Sequence, residues 1–416
     1  MLRSQTQSRF KTWLMPWQGI DGWLLILPAA LTVLGGMMIR STELTRAVTE
    51  WWQHWLIGGI GLAVALLIAC WRYEKLLDWH WVTYGITNVS LIVVLIIGTT
   101  VNGAQSWITL GGFNIQPSEF AKLGLIITLA AILHKHSAAT IPDVMRVLAI
   151  AAVPWFLVFI QPDLGSSLVF GAITLSMLYW ANANPGWLLL LVSPLVSVIL
   201  FSAYFHGWIA WAAITIFIAW RTLPWRLYGV GGTLVMNLVA GELGHIVWGL
   251  LKTYQKNRLI SFFNPEIDPQ GSGYHIIQSR IAIGAGQLWG RGLNQGTQTQ
   301  LHFIPEQHTD FIFSAIGEEL GFAGCVFVLI AFWIICLRLV MIATRAKDDF
   351  GSLLAIGFLS LIVFQVTINI GMTIGLAPVT GIPLPWLSYG RSALLKNFLA
   401  LGLIESVANH RPRKRY

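Results

Sequence analysis

The sequence predicts an all-α polytopic membrane protein with about 10–12 transmembrane helices and a large ordered extracellular loop between the late spans. Of its 416 residues, 56% are hydrophobic and only 11% are charged, whereas a soluble domain carries about 25% charged residues. The mean hydropathy is +0.67, and the long apolar runs do not alternate, which indicates spanning helices. This composition excludes a soluble enzyme, a disordered regulator and a disulfide-built secreted module.

Each spanning helix needs about 20 apolar residues. Such runs predict helices at about 20–39, 55–71, 82–100, 119–134, 146–160, 166–181, 187–205, 208–220, 228–251, 311–337, 352–376 and 392–408. The runs at 208–220 and 228–251 are the least regular, one being short and the other interrupted by glycines. They form either a spanning hairpin or a re-entrant pair.

The distribution of lysine and arginine predicts the orientation. These residues concentrate in alternate connections and in both terminal segments, which places both termini in the cytoplasm. The net charge of +8 is therefore assigned to cytosolic loops and the tail, and no nucleic acid partner is expected.

One long segment, 252–310, does not span and is predicted to lie outside the cell. Loops of this length are usually functional or disordered, and its apolar stripes favour an ordered one. Tyr274, Ile277, Ile281 and Leu288 recur at helical spacing, which predicts an amphipathic helix lying in the outer membrane interface.

The first cluster of ionisable groups lies at the start of a predicted span. Pro117 or Ser118 begins a helix well, and Glu119 and Lys122 share a face because they are three residues apart. Ionisable groups inside a membrane cost about 2.5–3.5 kcal/mol each on insertion scales, so they are functional hypotheses. The pair is either an internal ion pair tying a helix end to its neighbour or a lysine aimed at a pyrophosphate.

Two further segments display a carboxylate between spans. Asp163 either caps the next helix or lines a substrate groove, and the spacing favours the cap. Asp268 stands in a turn with two prolines and two glycines, where Pro269 pushes its backbone to extended geometry. Such a carboxylate serves either as a general base or as a turn-forming residue.

The fourth cluster precedes the predicted span at 311–337. Thr309 or Asp310 is predicted to cap that helix. Glu306, His308 and Asp310 are alternatively ligands for a divalent ion, although their spacing matches no recognised metal motif. The sequence contains no Walker A loop, dinucleotide fingerprint, nucleophile elbow or HExxH motif, so ATP-driven pumping and covalent nucleophile chemistry have no support.

Seven segments together carry a resemblance to a known family. They are Asn102–Trp107, Gln116–Lys122, Gln161–Gly165, Gly273–Gly284, Gly296–Leu301, Pro305–Gly321 and Pro383–Gly390. They resemble the SEDS family (shape, elongation, division and sporulation) of peptidoglycan glycosyltransferases. The resemblance is greater to the branch that elongates rod-shaped cells than to the division branch.

The resemblance implies an inverting enzyme that polymerises lipid II, a disaccharide-pentapeptide on undecaprenyl pyrophosphate, at the outer face of the bacterial cytoplasmic membrane. Asp268 would be the general base for the attacking hydroxyl. Lys122, held by Glu119, would bind the leaving pyrophosphate, with Arg280 or a divalent cation (Mg²⁺ or Mn²⁺) as alternatives. A class B penicillin-binding protein that crosslinks the new glycan would be the partner, and membrane lipids would surround the chain.

The resemblance also extends the substrate-binding set. Trp107 would line the substrate groove, with an interfacial anchor as the alternative. The remaining members of the set are Asp163, Glu306, His308, Asp310 and Ser388. The chain departs from the family's usual ten spans by an extra hairpin at 206–250, and Arg391 stands where the family has glycine.

Two functions of other classes compete with polymerisation. One is a transporter that flips lipid II across the membrane, and the other is a non-catalytic scaffold of the elongation machinery. Polymerisation needs a base such as Asp268 on the outer loop, whereas flipping and scaffolding do not.

Overall fold

The computed structural model describes residues 19–44, 49–101, 104–110, 113–250, 256 and 272–411. They fold mainly into helices, and every run predicted above forms one. The helices are α1 (Gly22–Thr42), α2 (Trp51–Cys70), α3 (Leu76–Ile97), α4 (Pro117–Lys135), α5 (Ile141–Ile160), α6 (Leu164–Trp180), α7 (Pro185–Ala203), α8 (Phe205–Thr222), α9 (Arg226–Leu250), α10 (Ser272–Ala285), α11 (Thr297–Gln300), α12 (Ile312–Thr344), α13 (Asp349–Thr373) and α14 (Arg391–Asn409).

A small antiparallel sheet, which the sequence analysis did not predict, joins α3 to α4. Its strands are β1 (Thr99–Val101), β2 (Ala104–Leu110) and β3 (Phe113–Ile115), in that order. Trp107 pairs with Thr99, and Ile108 pairs with Ile115. The sheet packs on α3, α4 and the start of α14.

Several helices begin at a side-chain cap or a proline. The Oδ1 atom of Asp163 accepts the backbone N–H of Ser166 at 2.9 Å, which confirms Asp163 as the cap of α6. Pro117 occupies the first turn of α4, where a missing N–H costs no helical bond. Asn184 and Asp348 cap α7 and α13 in the same manner.

The protein is a membrane protein. Within the described residues, seven helices are long and apolar enough to cross a membrane, namely α1 to α5, α12 and α13. Their outward side chains, such as Leu67 and Ile96, are large, apolar and exposed, as a lipid environment requires. That the remaining long helices also span stays a prediction.

Helices α4 and α13 are the most enclosed of these seven. Helix α4 packs against α3, α5, α6, α13 and α14. Around this centre, small residues allow close backbone approach, as membrane helix pairs commonly do. A β-carbon placed on Gly402 of α14 would lie 2.7 Å from the Cα atom of Ala65 on α2. Side chains of α4 and α13 therefore form the interior of the bundle.

The connections meet in two groups at opposite ends of the bundle. At one end, the N–H of Gly19 donates to Oδ1 of Asn409 at 3.0 Å, and Arg338 pairs with Asp21. This is the terminal end, because the described chain begins and ends there. The other, the site end, contains the connections 43–50, 98–116, 161–163, 272–311 and 374–390, of which 45–48, 102–103 and 111–112 are outside the described residues.

Helix α12 is broken at Gly321. Its φ of 67° and ψ of −165° lie in a region that glycine alone occupies readily. The chain from Gln287 to Gly292 runs alongside the break and supplies backbone hydrogen bonds that the helix lacks. The four bonds run from Arg291 N to Glu318 O (3.0 Å), Gly292 N to Glu319 O (3.0 Å), Phe322 N to Gln287 O (2.8 Å) and Ala323 N to Leu288 O (3.0 Å).

Helices α8 and α9, the predicted extra hairpin, pack on each other and on α7. Asn237 of α9 is fully buried between them. It accepts the hydroxyl of Ser197 at 2.5 Å and donates to the hydroxyl of Thr215 at 3.1 Å. One interior amide thus joins all three helices, and α7 to α9 form a lateral group.

The amphipathic helix expected in the outer loop is present as α10, but its buried face differs from the predicted one. Ile281 of the predicted apolar face is exposed, whereas Ile276 and Ser279 are buried. The hydroxyl of Ser279 donates to the backbone oxygen of Thr373 at 2.6 Å, and α10 packs on α12 and α13. This polar bond fixes the inward face of α10.

Candidate functional site

The centre of the site end holds three charged side chains. The Nζ atom of Lys122 lies 2.5 Å from Oε1 of Glu119, and the Nζ atom of Lys396 lies 3.2 Å from Oε2 of the same carboxylate. Each of the three residues is about 1% exposed. The predicted Glu119–Lys122 ion pair is confirmed. A second lysine, Lys396 of α14, pairs with the same carboxylate and so joins α14 to α4.

Lys396 was missed by the sequence analysis, although the signal was present. It is a basic residue inside the apolar run at 392–408, and ionisable residues inside a span are functional candidates. Its partner lies on a helix far away in the sequence, so no local spacing connects them.

Two amides of α13 extend this cluster toward the loops. Gln365 accepts from Lys396 at 3.4 Å. One turn later, the Nδ2 atom of Asn369 donates to the backbone oxygens of Asp310 at 2.9 Å and Ile382 at 2.8 Å. Residues four apart share a helix face, so a polar column runs from Asp310 down α13 to Glu119. We define the polar column as Asp310, Asn369, Gln365, Lys396, Glu119 and Lys122.

Three helix starts converge beside the polar column. The backbone N–H of Gln116 donates to the hydroxyl of Ser392 at 3.0 Å, which joins α4 to α14. The side-chain amide of Gln116 donates to Oδ2 of Asp163 at 3.4 Å, which joins α4 to α6. Asp163 thus caps α6 and also contacts the residue that precedes α4.

The segment before α12 does not act as predicted. The N-cap position is occupied by Phe311, not by Thr309 or Asp310. Among the described residues, no side chain caps the helix there. Thr309 turns back, because its hydroxyl donates to the backbone oxygen of Glu306 at 3.2 Å. That oxygen also accepts the N–H groups of Thr309, Asp310 and Phe311. The cap prediction was therefore wrong, and Glu306 closes a tight turn at a φ of 51°.

The same residues do not gather as metal ligands. Within the described residues, no group of three or more His, Cys, Asp or Glu side chains is placed to hold a metal ion. Glu306 is exposed, and His308 instead lies against Tyr389, with ring centroids 6.0 Å apart. A divalent cation at the site end would therefore depend on ligands beyond this set.

His308 and the loop before α14 form one wall of the site end. The N–H of Tyr389 donates to the backbone oxygen of His308 at 2.9 Å. Arg391 donates to the Tyr389 hydroxyl at 3.2 Å. Burial lowers the pKa of His308 below its usual value of 6.5, and the nearby Glu306 carboxylate opposes this shift. His308 therefore presents a neutral ring to this wall at pH 7.

Ser388 has a structural position in the described chain. Its hydroxyl accepts the N–H of Leu384 at 2.8 Å, and its own N–H donates to the Leu384 oxygen at 3.0 Å. The side chain is buried within this turn. The turn carries Trp386, whose ring is buried against Phe332 and Phe358 in the core.

Glu318 and Glu319 hold the outer loop in place. Glu318 accepts the backbone N–H groups of Gln298 at 2.8 Å and Thr299 at 2.9 Å, and so caps α11. Glu319 accepts the hydroxyl of Ser41 at 2.5 Å, at the end of α1. Both carboxylates are fully buried, so they fix the loop's position on the bundle.

Two predicted site residues, Arg280 and Trp107, lie away from the polar column, and a third, Asp268, lies outside the described residues. Arg280 of α10 is exposed, and its Cδ atom would lie 3.3 Å from a β-carbon placed on Gly375, just after α13. Trp107 is half-buried in β2. Asp268 lies outside the described residues, as does most of the chain from 251 to 271.

Most of the chain matches known proteins. The FtsW/RodA/SpoVE family model, described as a cell cycle protein, matches residues 22–222 and 209–413. The peptidoglycan glycosyltransferase RodA of Treponema pallidum is 33% identical over 423 residues, covering 93% of this chain and 97% of that protein. The peptidoglycan glycosyltransferase MrdB of Escherichia coli K12 is 34% identical over 396 residues, covering 94% of each.

A solved structure described as "Structural coordination of polymerization and crosslinking by a peptidoglycan synthase complex" has the same fold. Its TM-score is 0.70 at 29% identity, over 95% of this chain and 100% of that chain. The helical bundle, the motifs at the site end and the family match therefore agree. The chain belongs to the FtsW/RodA/SpoVE family, the SEDS family that its motifs resemble.

Proposed function

We propose that the protein is a peptidoglycan glycosyltransferase that polymerises lipid II into glycan strands during cell elongation. The observation that carries the proposal is the match to RodA and MrdB, both named peptidoglycan glycosyltransferases, over 93% and 94% of this chain. The polar column supports it, because buried lysines at one end of a membrane bundle suit a lipid-linked pyrophosphate.

The reaction needs a base for the attacking hydroxyl and cations for the leaving pyrophosphate. We assign the base to Asp268, which precedes α10 by four residues in the sequence. Because α10 packs on α12 and α13, the chain that follows Asp268 is anchored at the site end. We assign the leaving pyrophosphate to Lys122, whose α4 start also favours an anion through its helix dipole. Asp163, Arg280 and Trp107 would line the path of the lipid-linked sugar.

We place the protein in the bacterial cytoplasmic membrane with both termini in the cytoplasm. The terminal end supports this orientation, since the described chain begins and ends there. It also carries most of the basic connecting residues, including Arg72, Lys75, Arg345 and Lys347, and cytoplasmic loops are enriched in such residues. The site end would then face outward, where lipid II is polymerised.

We infer a class B penicillin-binding protein as the partner. The support is the similar chain in a structure that is described as a peptidoglycan synthase complex coordinating polymerisation and crosslinking. A polymerase of this kind would deliver its glycan to the transpeptidase at the site end.

The test is polymerisation of labelled lipid II by the purified chain with its transpeptidase, with product lengths measured on a gel. We expect Asp268→Asn to abolish polymer formation and to leave the thermal midpoint unchanged, because the exchange removes the base and retains the size. Asp349→Asn is the matched control, since it makes the same exchange at an exposed position of the terminal end. It should polymerise at the wild-type rate.

Two outcomes would contradict the proposal. Wild-type protein that makes no polymer, yet moves labelled lipid II across vesicles, would indicate a flippase. Wild-type protein that does neither, yet retains its transpeptidase partner, would indicate a scaffold. If Asp268→Asn makes polymer as well as the wild type does, Asp268 is not the base, although the protein is still a polymerase.

A further inference from the structure

The carboxylate of Glu119 is divided between two lysines. Oε1 faces Lys122 at 2.5 Å, and Oε2 faces Lys396 at 3.2 Å. One buried carboxylate needs one cation, so the second lysine is in excess of what a structural ion pair requires. A surplus buried charge is costly in a membrane interior and therefore indicates a function.

The two lysines differ in their other contacts. Lys396 donates a hydrogen bond to Gln365 of α13 at 3.4 Å and forms an ion pair with Glu119 of α4 at 3.2 Å, so it has partners on two helices. The hydrogen bond recorded for Lys122 within the described residues is the one to Glu119. Lys122 lies in the second turn of α4, the helix that begins beside Gln116 and Asp163. In the described part of the chain, Lys396 thus has two polar partners, and Lys122 has one, so Lys122 is the lysine with fewer restraints.

We propose that Lys396 is a positioning residue that keeps Glu119 paired while Lys122 turns away to bind the phosphate groups of the substrate. Lys122 is enclosed in this structure, so it reaches an anion only by rotating off the carboxylate. Without Lys396, that rotation would leave a buried carboxylate without a cation, which is strongly unfavourable. With Lys396 in place, Glu119 exchanges one partner for the other, and the long flexible lysine stem permits the movement.

This inference rests on the proposed function for the identity of the anion, but the exchange itself is a property of the three side chains. It makes a prediction that a purely structural ion pair does not make. Neutralising Lys396 should lock Lys122 on Glu119, and neutralising Glu119 as well should release it.

The experiment compares Lys396→Met, Lys396→Arg and the double variant Glu119→Gln/Lys396→Met in the lipid II assay with the partner transpeptidase. Lys347→Met is the matched control, because it makes the same exchange at the terminal end, where Lys347 contacts Glu74 at 3.2 Å. We expect Lys396→Met to lower kcat about tenfold or more, since one fixed charge in a dry site has effects of this size or larger. Lys396→Arg should retain most of the activity, and Lys347→Met should retain all of it.

The decisive comparison is the double variant, which should be more active than Lys396→Met because the uncharged amide no longer holds Lys122. Thermal midpoints separate this effect from a loss of folding. If Lys396→Met does not fold, Lys396→Gln retains hydrogen bonding without the charge and carries the same expectation. A wild-type kcat in the folded single variant, or a double variant no faster than the single one, would overturn the proposal.

A second measurement keeps this inference separate from the proposed function. Inorganic pyrophosphate, used as the probe, should raise the thermal midpoint of the wild-type protein, and the shift should be lost in Lys122→Ala and reduced in Lys396→Met. That result would support the exchange even if no polymer were made. Equal shifts in the wild type and Lys396→Met would contradict it even in an active polymerase.

Discussion

Asn369 of α13 binds the backbone of Asp310 from within the bundle, with its Nδ2 atom 2.9 Å from the Asp310 carbonyl oxygen. The same amide donates to Ile382 at 2.8 Å. One fully buried side chain thus fixes the two loops that enclose the site end, one before α12 and the other before α14. The position of both loops depends on α13, which also contributes Gln365 to the polar column.

Replacing this amide should affect stability and activity together. Asn369→Ala removes the hydrogen bonds to the Asp310 and Ile382 oxygens, the second of which is buried, and this should lower the free energy of unfolding by about 1–3 kcal/mol. It should also lower polymerisation, because both loops lose their common anchor. Thermal unfolding and the lipid II assay measure the two effects.

Ser360→Ala, on the same helix, is the control. It removes a hydrogen bond to the Ala172 oxygen at 2.9 Å, far from the loops. It should lower stability slightly and leave the polymerisation rate of the folded protein unchanged. Equal losses of rate in both variants would argue against a role for Asn369 in positioning the loops.

Asp163 offers a test between a helix cap and a substrate ligand. Asp163→Asn retains an oxygen that can accept the Ser166 N–H, whereas Asp163→Ala does not. If the cap is its main role, we expect Asp163→Asn to be near wild type, and Asp163→Ala to lose about 1 kcal/mol of stability. Loss of activity in a stable Asp163→Asn would instead show that the negative charge acts on substrate.

The half-buried ring of His308 predicts a pH dependence of stability. Burial lowers its folded-state pKa below the unfolded value of 6.5, so the unfolded chain takes up a proton first as the pH falls. The stabilisation is therefore complete above pH 6.5 and is lost as the pH falls through the folded pKa. Thermal midpoints measured between about pH 5 and pH 8 should decrease on the acid side.

His308→Asn should remove this part of the acid-side decrease, because the amide does not titrate. His136→Asn is the control, since His136 is exposed at the terminal end. An identical pH profile in the wild type and His308→Asn would show that other groups cause the acid sensitivity.

The twelve predicted helices were predictable because each one is a long apolar run, and some also start at a cap or a proline, as at Asp163 and Pro117. The small sheet was not, because its strands are short and lie within a connection where no apolar period is sustained. The N-cap expected at Thr309 or Asp310 failed for a local reason. The turn closed by Glu306 takes up the Thr309 hydroxyl and places Phe311 at the N-cap position of α12.

The site was predictable in part. Glu119 and Lys122 were identified because three-residue spacing on a helix places them together. Lys396 completes the cluster from another helix, and only the packing of α14 beside α4 brings it there. Ser388 was assigned to substrate binding by motif alone, whereas its hydroxyl bonds within its own turn. Linear spacing therefore identifies pairs on one helix and misses partners that the fold supplies.

The break at Gly321 has a consequence for biosynthesis. From Phe322 to Thr344 the helix extends about 34 Å, enough to cross a bilayer without the residues before the break. The backbone bonds that bridge the break come from Gln287 to Gly292, which leave the ribosome before α12 does. In the proposed orientation this stretch lies outside the membrane, so it would have to cross before α12 can pair with it. Shortening it should then impair membrane integration of the nascent chain as well as catalysis.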